Sequence, residues 1–453
     1  MYRFDVTGYS DEPIVHYSWL SENGYDDSLW IGLADWEHDA WEWHRCSESE
    51  QLELPSMEPY LSDSGQVVIT MVAYDPDQYT SDVDYSLLEY VRLGPRVGHW
   101  VLDVAAGEAD TMMVSMQLDS RGVPHIAFLD YSVGASRLMY ATRIVYSPIA
   151  WDWDVAVVDD NGDTGLYPSL VLEESTPLDL PRICYRTNSA NSLRMAFGEV
   201  QTLIDGTPFI GWEEGTAVIA VPNPHACSMA MIGDSYGISY HDFDAKTLNY
   251  VYFNGLDWVD TVVDESADVG LTSCLAENPS GRPAISYRNE DEQSLRLAEF
   301  TGYDWNISTI DPGAGDDIGM VSCLCYGPDN LPRVCYDDLT HAATLYAYFD
   351  GADWQREAVF DLDAHAQNSS MVIDSAGVPH IATMDSDHGN LIHQWREPGS
   401  GDWLSETVDF GGGHPTGYCV SIAIDSQDRL SIAYGGYYKE GAENALLYAF
   451  QLD

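Results

Sequence analysis

Residues Ser370–Asp409 read SMVIDSAGVPHIATMDSDHGNLIHQWREPGSGDWLSETVD, and this stretch decides the fold. It holds four short apolar runs, Ser370–Asp374, Pro379–Thr383, Leu391–Trp395 and Trp403–Val408. Asp374-Ser375-Ala376-Gly377 separates the first two, with Gly where a tight turn needs a left-handed residue. Four antiparallel strands in so short a span form one meander, which cannot bury both of its faces alone. The sequence repeats the unit, so stacked copies are expected to bury one another.

Aligning copies on the second strand makes the repetition explicit. These strands begin at Pro13, Val67, Pro124, Pro181, Tyr236, Pro283, Pro332, Pro379 and Leu430. The third position is β-branched throughout, from Val15 and Ile69 to Ile381 and Ile432. The fifth is aromatic in most copies: Tyr17, Phe128, Tyr185, Tyr240, Tyr287, Tyr336 and Tyr434. The fourth, on the opposite face, is small from the second copy onward, as at Ala127, Cys184, Ser239, Ser286 and Cys335. A large face opposed to a small one suits sheets that interdigitate. A Trp opens the fourth strand at Trp258, Trp305, Trp354 and Trp403, with Trp100 and Trp153 earlier. Most fourth strands end on an acid: Asp159, Asp264, Asp311, Asp361 and Asp409. Asn330 and Asp428 replace Gly in two of the turns, and both types tolerate left-handed backbone.

The expected fold is therefore all-β: one β-propeller, 1-453, of four-stranded antiparallel blades, nine in number, with eight as the alternative. The repeats fall at 1-50, 51-108, 109-162, 163-222, 223-266, 267-314, 315-363, 364-412 and 413-453, the first and fourth being least regular. The last copy ends after its third strand, which leaves an open edge beside Ala445–Phe450. Such an edge would allow self-assembly by β-augmentation.

The pattern Asp-Ser-x-Gly-x-Pro-His-Ile-Ala, then Leu-x-Tyr-Ala, then Gly-x-Asp-Trp, resembles propeller repeats of bacterial secreted and surface proteins. Those are grouped with sialidase-like and lectin-like propellers. The resemblance implies the fold and no particular activity. The sialidase Asp-box, Ser-x-Asp-x-Gly-x-x-Trp, is not matched: Pro124 or Pro379 follows the turn and no Trp is in register.

Charge narrows the partners. The chain has 19 Lys+Arg against 74 Asp+Glu, a formal net charge of -55, which repels nucleic acid and anionic membranes. No apolar run reaches transmembrane length, and Met1–Val6 has neither a basic nor an apolar leader region. The composition fits an extracellular or cell-surface protein whose leader has been removed. The eight cysteines lack metal-ligand spacing. They read as buried thiols in small core positions, with disulfides between adjacent inner strands left open.

Three sets of residues are candidates for function. The crossover loops carry Asp163-Thr164-Gly165, Asp268-Val269-Gly270 and Asp317-Ile318-Gly319, carboxylates suited to Ca²⁺ or to capping their own turns. Trp19, Tyr25, Trp30, Trp36, Trp41 and Trp43 crowd the first repeat and suit stacking on sugar rings. The repeated Trp column reads instead as a wedge between blades. His225, His365, His414 and Tyr418 lie in or near crossover loops and are the candidates for acid–base work, since a catalytic group is unique rather than repeated. No catalytic residue is assigned. The leading expectation is a non-catalytic extracellular binding or adhesion propeller for glycan or a surface protein, with Ca²⁺ as a possible aid. The alternatives are a polysaccharide hydrolase or lyase, and a structural subunit of a surface layer or filament.

Overall fold

The computed structural model describes residues 2–5, 13–21, 28–35, 40–45, 51–53, 66–74, 86–95, 100–107, 109–147, 150–202, 208–212, 217–360, 366–385, 389–409, 416–438 and 443–451. The chain divides into two compact units, Met1–Gly98 and His99–Asp453.

The first unit holds two antiparallel sheets whose strands pair out of chain order. One runs Tyr2–Asp5, Gln66–Tyr74, Ser28–Asp35, Ala40–Arg45; the other runs Gln51–Glu53, Pro13–Ser21, Ser86–Pro95. Each sheet mixes strands from the first two expected repeats. The β-branched positions Val15 and Ile69 therefore mark strands, but not meanders.

The second unit is a β-propeller of seven blades, which corrects both the nine and the eight expected from the repeat count. Blade 1 comprises Thr111–Leu118, Pro124–Asp130, Arg137–Ser147 and Ala150–Asp159. Blade 2 comprises Leu166–Glu173, Leu180–Thr187 and Ser192–Thr202, its outer edge split between Pro208–Trp212 and Ala217–Ile219. Blade 3 comprises Pro224–Ile232, Ser235–Asp242, Thr247–Phe253 and Trp258–Asp264. Blade 4 comprises Val269–Asn278, Arg282–Asn289, Ser294–Phe300 and Trp305–Asp311. Blade 5 comprises Ile318–Tyr326, Pro332–Asp338, Ala343–Phe349 and Trp354–Phe360. Blade 6 comprises Ala366–Ile373, Pro379–Asp385, Asn390–Arg396 and Trp403–Asp409.

Blade 7 comprises Thr416–Ile424, Leu430–Tyr438 and Glu443–Gln451, and its fourth strand is Trp100–Ala106, which precedes blade 1 in the chain. The edge left open in the sequence reading is thus covered by the same chain and does not await a neighbour. The seven first strands touch in sequence, and that of blade 7 touches that of blade 1, so the inner ring is closed. Closure removes the exposed backbone edge that a linear stack would leave. Trp100 then donates its Nε1 hydrogen to Glu406 Oε1 of blade 6 at 2.7 Å, tying the closing strand to the neighbouring blade.

The alternating faces fit as expected. Cys184 packs forward from blade 2 onto Met229, Ile238 and Tyr240 of blade 3, and Leu295 and Leu297 of blade 4 pack onto Val334 and Tyr336 of blade 5. The Trp residues wedge between blades: Trp305 meets Tyr250 edge-on at 5.5 Å, Trp403 meets Tyr346 at 5.3 Å and Trp153 meets Tyr448 at 5.3 Å. The turns need their special residues, with φ +86° at Gly377, +65° at Asn330 and +61° at Asp428.

Two sequence columns meet at the blade interfaces. The fifth-position tyrosine donates its hydroxyl hydrogen to the acid that ends the previous blade. The distances are 2.6 Å for Tyr185 to Asp159, 2.7 Å for Tyr287 to Asp264, 2.7 Å for Tyr336 to Asp311 and 3.0 Å for Tyr434 to Asp409. The other carboxylate oxygen caps the crossover turn, accepting from Asn161, Ser266 and Gly313 backbone N–H in the first three cases. Asp361 lies outside the described residues. In blade 3 the preceding edge is the split one, whose described residues supply no acid, and Tyr240 donates to Asp260 of its own blade. Blade 1 carries Phe128 instead, and the closing strand before it ends in Ala105 and Ala106, so an apolar ring meets an apolar edge.

The pairing predicts a counter-intuitive stability change. Phe128→Tyr adds a hydroxyl where the closing strand ends on Ala105 and Ala106, and is expected to lower unfolding stability by about 1–3 kcal/mol in chemical denaturation. Unchanged or raised stability would contradict it.

Candidate functional site

The crossovers between blades and the hairpins between second and third strands emerge at one end of the propeller. Here lie the three aspartates expected to bind a cation. Each backbone carbonyl accepts a hairpin N–H at 2.8 Å: Asp163 from Asn188, Asp268 from Glu290 and Asp317 from Leu339. The side chain of Asp268 accepts from Lys246 Nζ at 2.6 Å, and that of Asp317 from Arg288 Nη1 at 2.6 Å. The three precede blades 2, 4 and 5, so they are not brought together, and two of them already face cations. Asp316, Asp338 and His341 do gather, yet His341 Nδ1 sits 2.9 Å from Asp338 Oδ2 in a direct hydrogen bond. Calcium prefers an all-oxygen shell, so this trio is not its usual donor set.

The expected aromatic patch belongs to the first unit. Trp19 lies in Pro13–Ser21, Trp30 in Ser28–Asp35, and Trp41 and Trp43 in Ala40–Arg45. Trp19 is in one sheet and the other three are in the second. Tyr25, Trp36, His365 and His414 lie outside the described residues, as does the side chain of Tyr418.

His225 is the sequence candidate that the fold surrounds with chemistry. It sits two residues before Cys227, the register partner of Tyr240. The equivalent residues before Ser273 and Ser322 are Leu271 and Met320, so the imidazole is singular in its column. Its ring lies 5.2 Å from that of Tyr167 in blade 2, 6.4 Å from His241 and 6.1 Å from the stacked, exposed Phe243. Tyr167 is held at φ +52°, a conformation bulky residues rarely adopt and one that recurs at functional sites. Its N–H points at Met113 Sδ at 3.1 Å, and its carbonyl accepts from Cys227 Sγ–H at 3.2 Å.

Arg186, from the second strand of blade 2, completes the group. It donates to Asn191 Oδ1 at 3.0 Å, and its Nε is buried without a partner. Among the described side chains, every arginine except Arg186 and Arg282 is ion-paired to a carboxylate. Unpaired guanidinium is unexpected in so acidic a chain, and its planar fork matches a carboxylate.

Burial lowers the pKa of His225, reinforced by Arg186 and His241. Burial likewise lowers that of His241, against the opposing pull of Asp268, whose Oδ1 lies 3.4 Å from His241 Nε2. Burial raises that of Tyr167, partly offset by Arg186. Both imidazoles are therefore neutral at neutral pH, and the Nδ1 of each is buried with no hydrogen-bond partner among the described residues. Neutral imidazole, neutral phenol and unpaired guanidinium together suit proton transfer beside a bound anion. The structure places His225 in the strand Pro224–Ile232, whereas the sequence flagged it as an unrepeated residue of a crossover loop. The sequence hid Arg186 and His241, whose column also carries Arg288 and Asp337.

No family model and no curated protein matches the chain. Solved structures do match. A polysaccharide lyase, an ulvan lyase bound to -[GlcA(1-4)Rha3S]-, aligns at TM-score 0.54 and 9% identity over 76% of this chain and 94% of that one. A fucose-specific lectin from Aleuria aurantia aligns at TM-score 0.43 and 15% identity over 66% and 96%. The NanB sialidase of Streptococcus pneumoniae aligns at TM-score 0.43 and 9% identity over 99% and 97%. At these identities the likeness to the lyase establishes the propeller fold. The bacterial surface repeats named from the sequence gain no family match.

The lowered imidazole pKa has a stability consequence. A folded-state pKa below the unfolded value gives stability that is present above the ordinary value of 6.5 and lost as pH falls through the folded pKa. His225→Leu, which copies Leu271 of blade 4, is expected to shrink the difference in Tm between pH 7.5 and pH 5. An unchanged or larger difference in thermal melts would contradict the assignment.

Proposed function

We propose that the protein acts on an acidic glycan, cleaving a 4-linked uronate by β-elimination at the face formed by Tyr167, Arg186, His225 and His241. The observation that carries the reading is Arg186, which has no carboxylate partner among the described residues, set near His225, whose Nδ1, like that of His241, has no partner there either. In this reading Arg186 takes the substrate carboxylate and offsets its charge, which acidifies the adjacent C5–H. His225 removes that proton. The C5–H electrons become the C4–C5 double bond, the C4–O bond breaks, and the leaving oxygen takes the phenolic proton of Tyr167. His241 and Phe243 wall the position, Phe243 with an exposed ring suited to a sugar face.

The net charge of -55 does not exclude an acidic substrate. At physiological ionic strength the Debye length is about 8 Å, so groups in contact outweigh the distant surface. The matched propellers include a polysaccharide lyase, a lectin and a sialidase, in keeping with a glycan ligand. Among the described residues no helix is long and apolar enough to cross a membrane, and a polysaccharide substrate suits an extracellular or cell-surface location. A second reading, glycan binding without turnover, is favoured by the exposed Met112, Tyr131 and Leu339 at the same end.

The test is ultraviolet detection of unsaturated uronate during incubation with a panel of uronate polysaccharides. Turnover is expected on at least one, weakening as acid protonates His225. His225→Ala and Arg186→Ala are expected to lower kcat/KM by roughly 10²–10⁴-fold with the fold retained. Binding to the panel with no new absorbance would replace this reading by the second. Neither binding nor cleavage would overturn both.

A further inference from the structure

Adjacent blades bring together a fixed pair of positions. One is the fourth residue of a second strand. The other, in the next blade, is the first-strand residue in register with the fifth-position tyrosine. Between blades 3 and 4 these are Ser239 and Ser273, with Oγ atoms 2.9 Å apart. Between blades 4 and 5 they are Ser286 and Ser322, again 2.9 Å apart. Ser273 pairs with Tyr287 and Ser322 with Tyr336, as Cys227 pairs with Tyr240. Between blades 2 and 3 the pair is Cys184 and Cys227, with Sγ atoms 3.6 Å apart.

We propose that Cys184 and Cys227 form a redox modification site, closing to an inter-blade disulfide when a small-molecule disulfide is the oxidant. The two serine pairs show independently that side chains from these backbone positions meet tip to tip. A disulfide needs its sulfurs at about 2 Å, so the thiols must approach by roughly 1.6 Å. The chemistry balances without a metal. The thiolate of one cysteine attacks the oxidant, its S–S bond breaks, a mixed disulfide forms and one small thiolate leaves. The second cysteine then attacks the mixed disulfide and expels the other small thiolate. The protein loses two electrons, the oxidant gains them, and the two thiol protons pass to the released thiolates.

Burial sets when this happens. Cys184 is 0% and Cys227 9% exposed, among Met195, Met229 and Tyr240. Burial also pushes the Cys184 thiol well above its ordinary range. Little thiolate exists once the blades have docked, so the bond forms as they come together in folding. It would join the two blades that carry Tyr167 and Arg186 on one side and His225 and His241 on the other, and release Cys227 from the Tyr167 carbonyl.

The test is independent of any glycan activity. Denatured, reduced protein is refolded with oxidised and reduced glutathione, alkylated, digested and mapped by mass spectrometry. A linked Cys184–Cys227 peptide pair is expected, absent after refolding under reductant alone, with Tm raised by roughly 4 °C. In Cys227→Ser the linked pair is lost and Cys184 is alkylated. Alkylation of both cysteines after oxidising refolding, or bonding of either to another cysteine, would overturn the proposal. If refolding yields are low, native protein opened in partial denaturant with the same buffer reads the same peptides, and two alkylated cysteines there overturn it equally.

Discussion

The propeller depends on a carboxylate, buried in Asp159 and Asp264 and half-buried in Asp311, that serves two blades at once. Asp159, Asp264 and Asp311 each cap the turn that leaves one blade and accept the tyrosine hydroxyl of the next. Removing such a group from water costs several kcal/mol unless its lone pairs are filled. Here they are filled by a backbone N–H, a phenol and, in these three, an arginine: Arg194, Arg296 and Arg356. The same bonds that satisfy the charge fix the angle between neighbouring sheets. For Asp264 burial works to raise the pKa, and the bonds from Ser266 and Tyr287 and the charge of Arg296 bring it below the ordinary value. That sign gives stability held above the usual carboxylate range and lost in acid.

Departures from the clasp are as informative as its presence. Where the closing strand ends on Ala105 and Ala106, the facing residue is Phe128. Where the described residues of the split edge of blade 2 supply no acid, Tyr240 turns to its own blade. The interface with that irregular edge is also where Tyr167, Arg186, His225 and His241 meet, and where a thiol pair replaces a serine pair. One blade boundary has thus given up the repeated contacts and gathered the unrepeated ones. That is the pattern expected where function overrides local consistency.

Much of the fold was legible because a strand's two faces alternate with a fixed period. The second-strand columns, the left-handed residues Gly377, Asn330 and Asp428, and the Trp wedge all follow from single-strand chemistry. The blade number was not legible. Val15 and Ile69 carry the same buried-strand signature as true blades, and only pairing order tells a meander from an interleaved sheet. Closure was half visible: Trp100 matched the fourth-strand column, but nothing local says which edge it joins. His225 stood out as an unrepeated imidazole, though it was expected in a crossover loop rather than in the strand that carries it. Arg186 did not, because whether an arginine is paired depends on residues far away in the chain. Tyr167 left no signal, since its left-handed backbone is imposed by its surroundings.

The central claim is that tyrosine and aspartate columns couple neighbouring blades. A double-mutant cycle on Asp264→Asn and Tyr287→Phe, read by chemical denaturation, tests it most directly. A coupling energy of about 1–3 kcal/mol is predicted for residues that share one buried bond. Single effects that simply add, within about 0.5 kcal/mol, would contradict it.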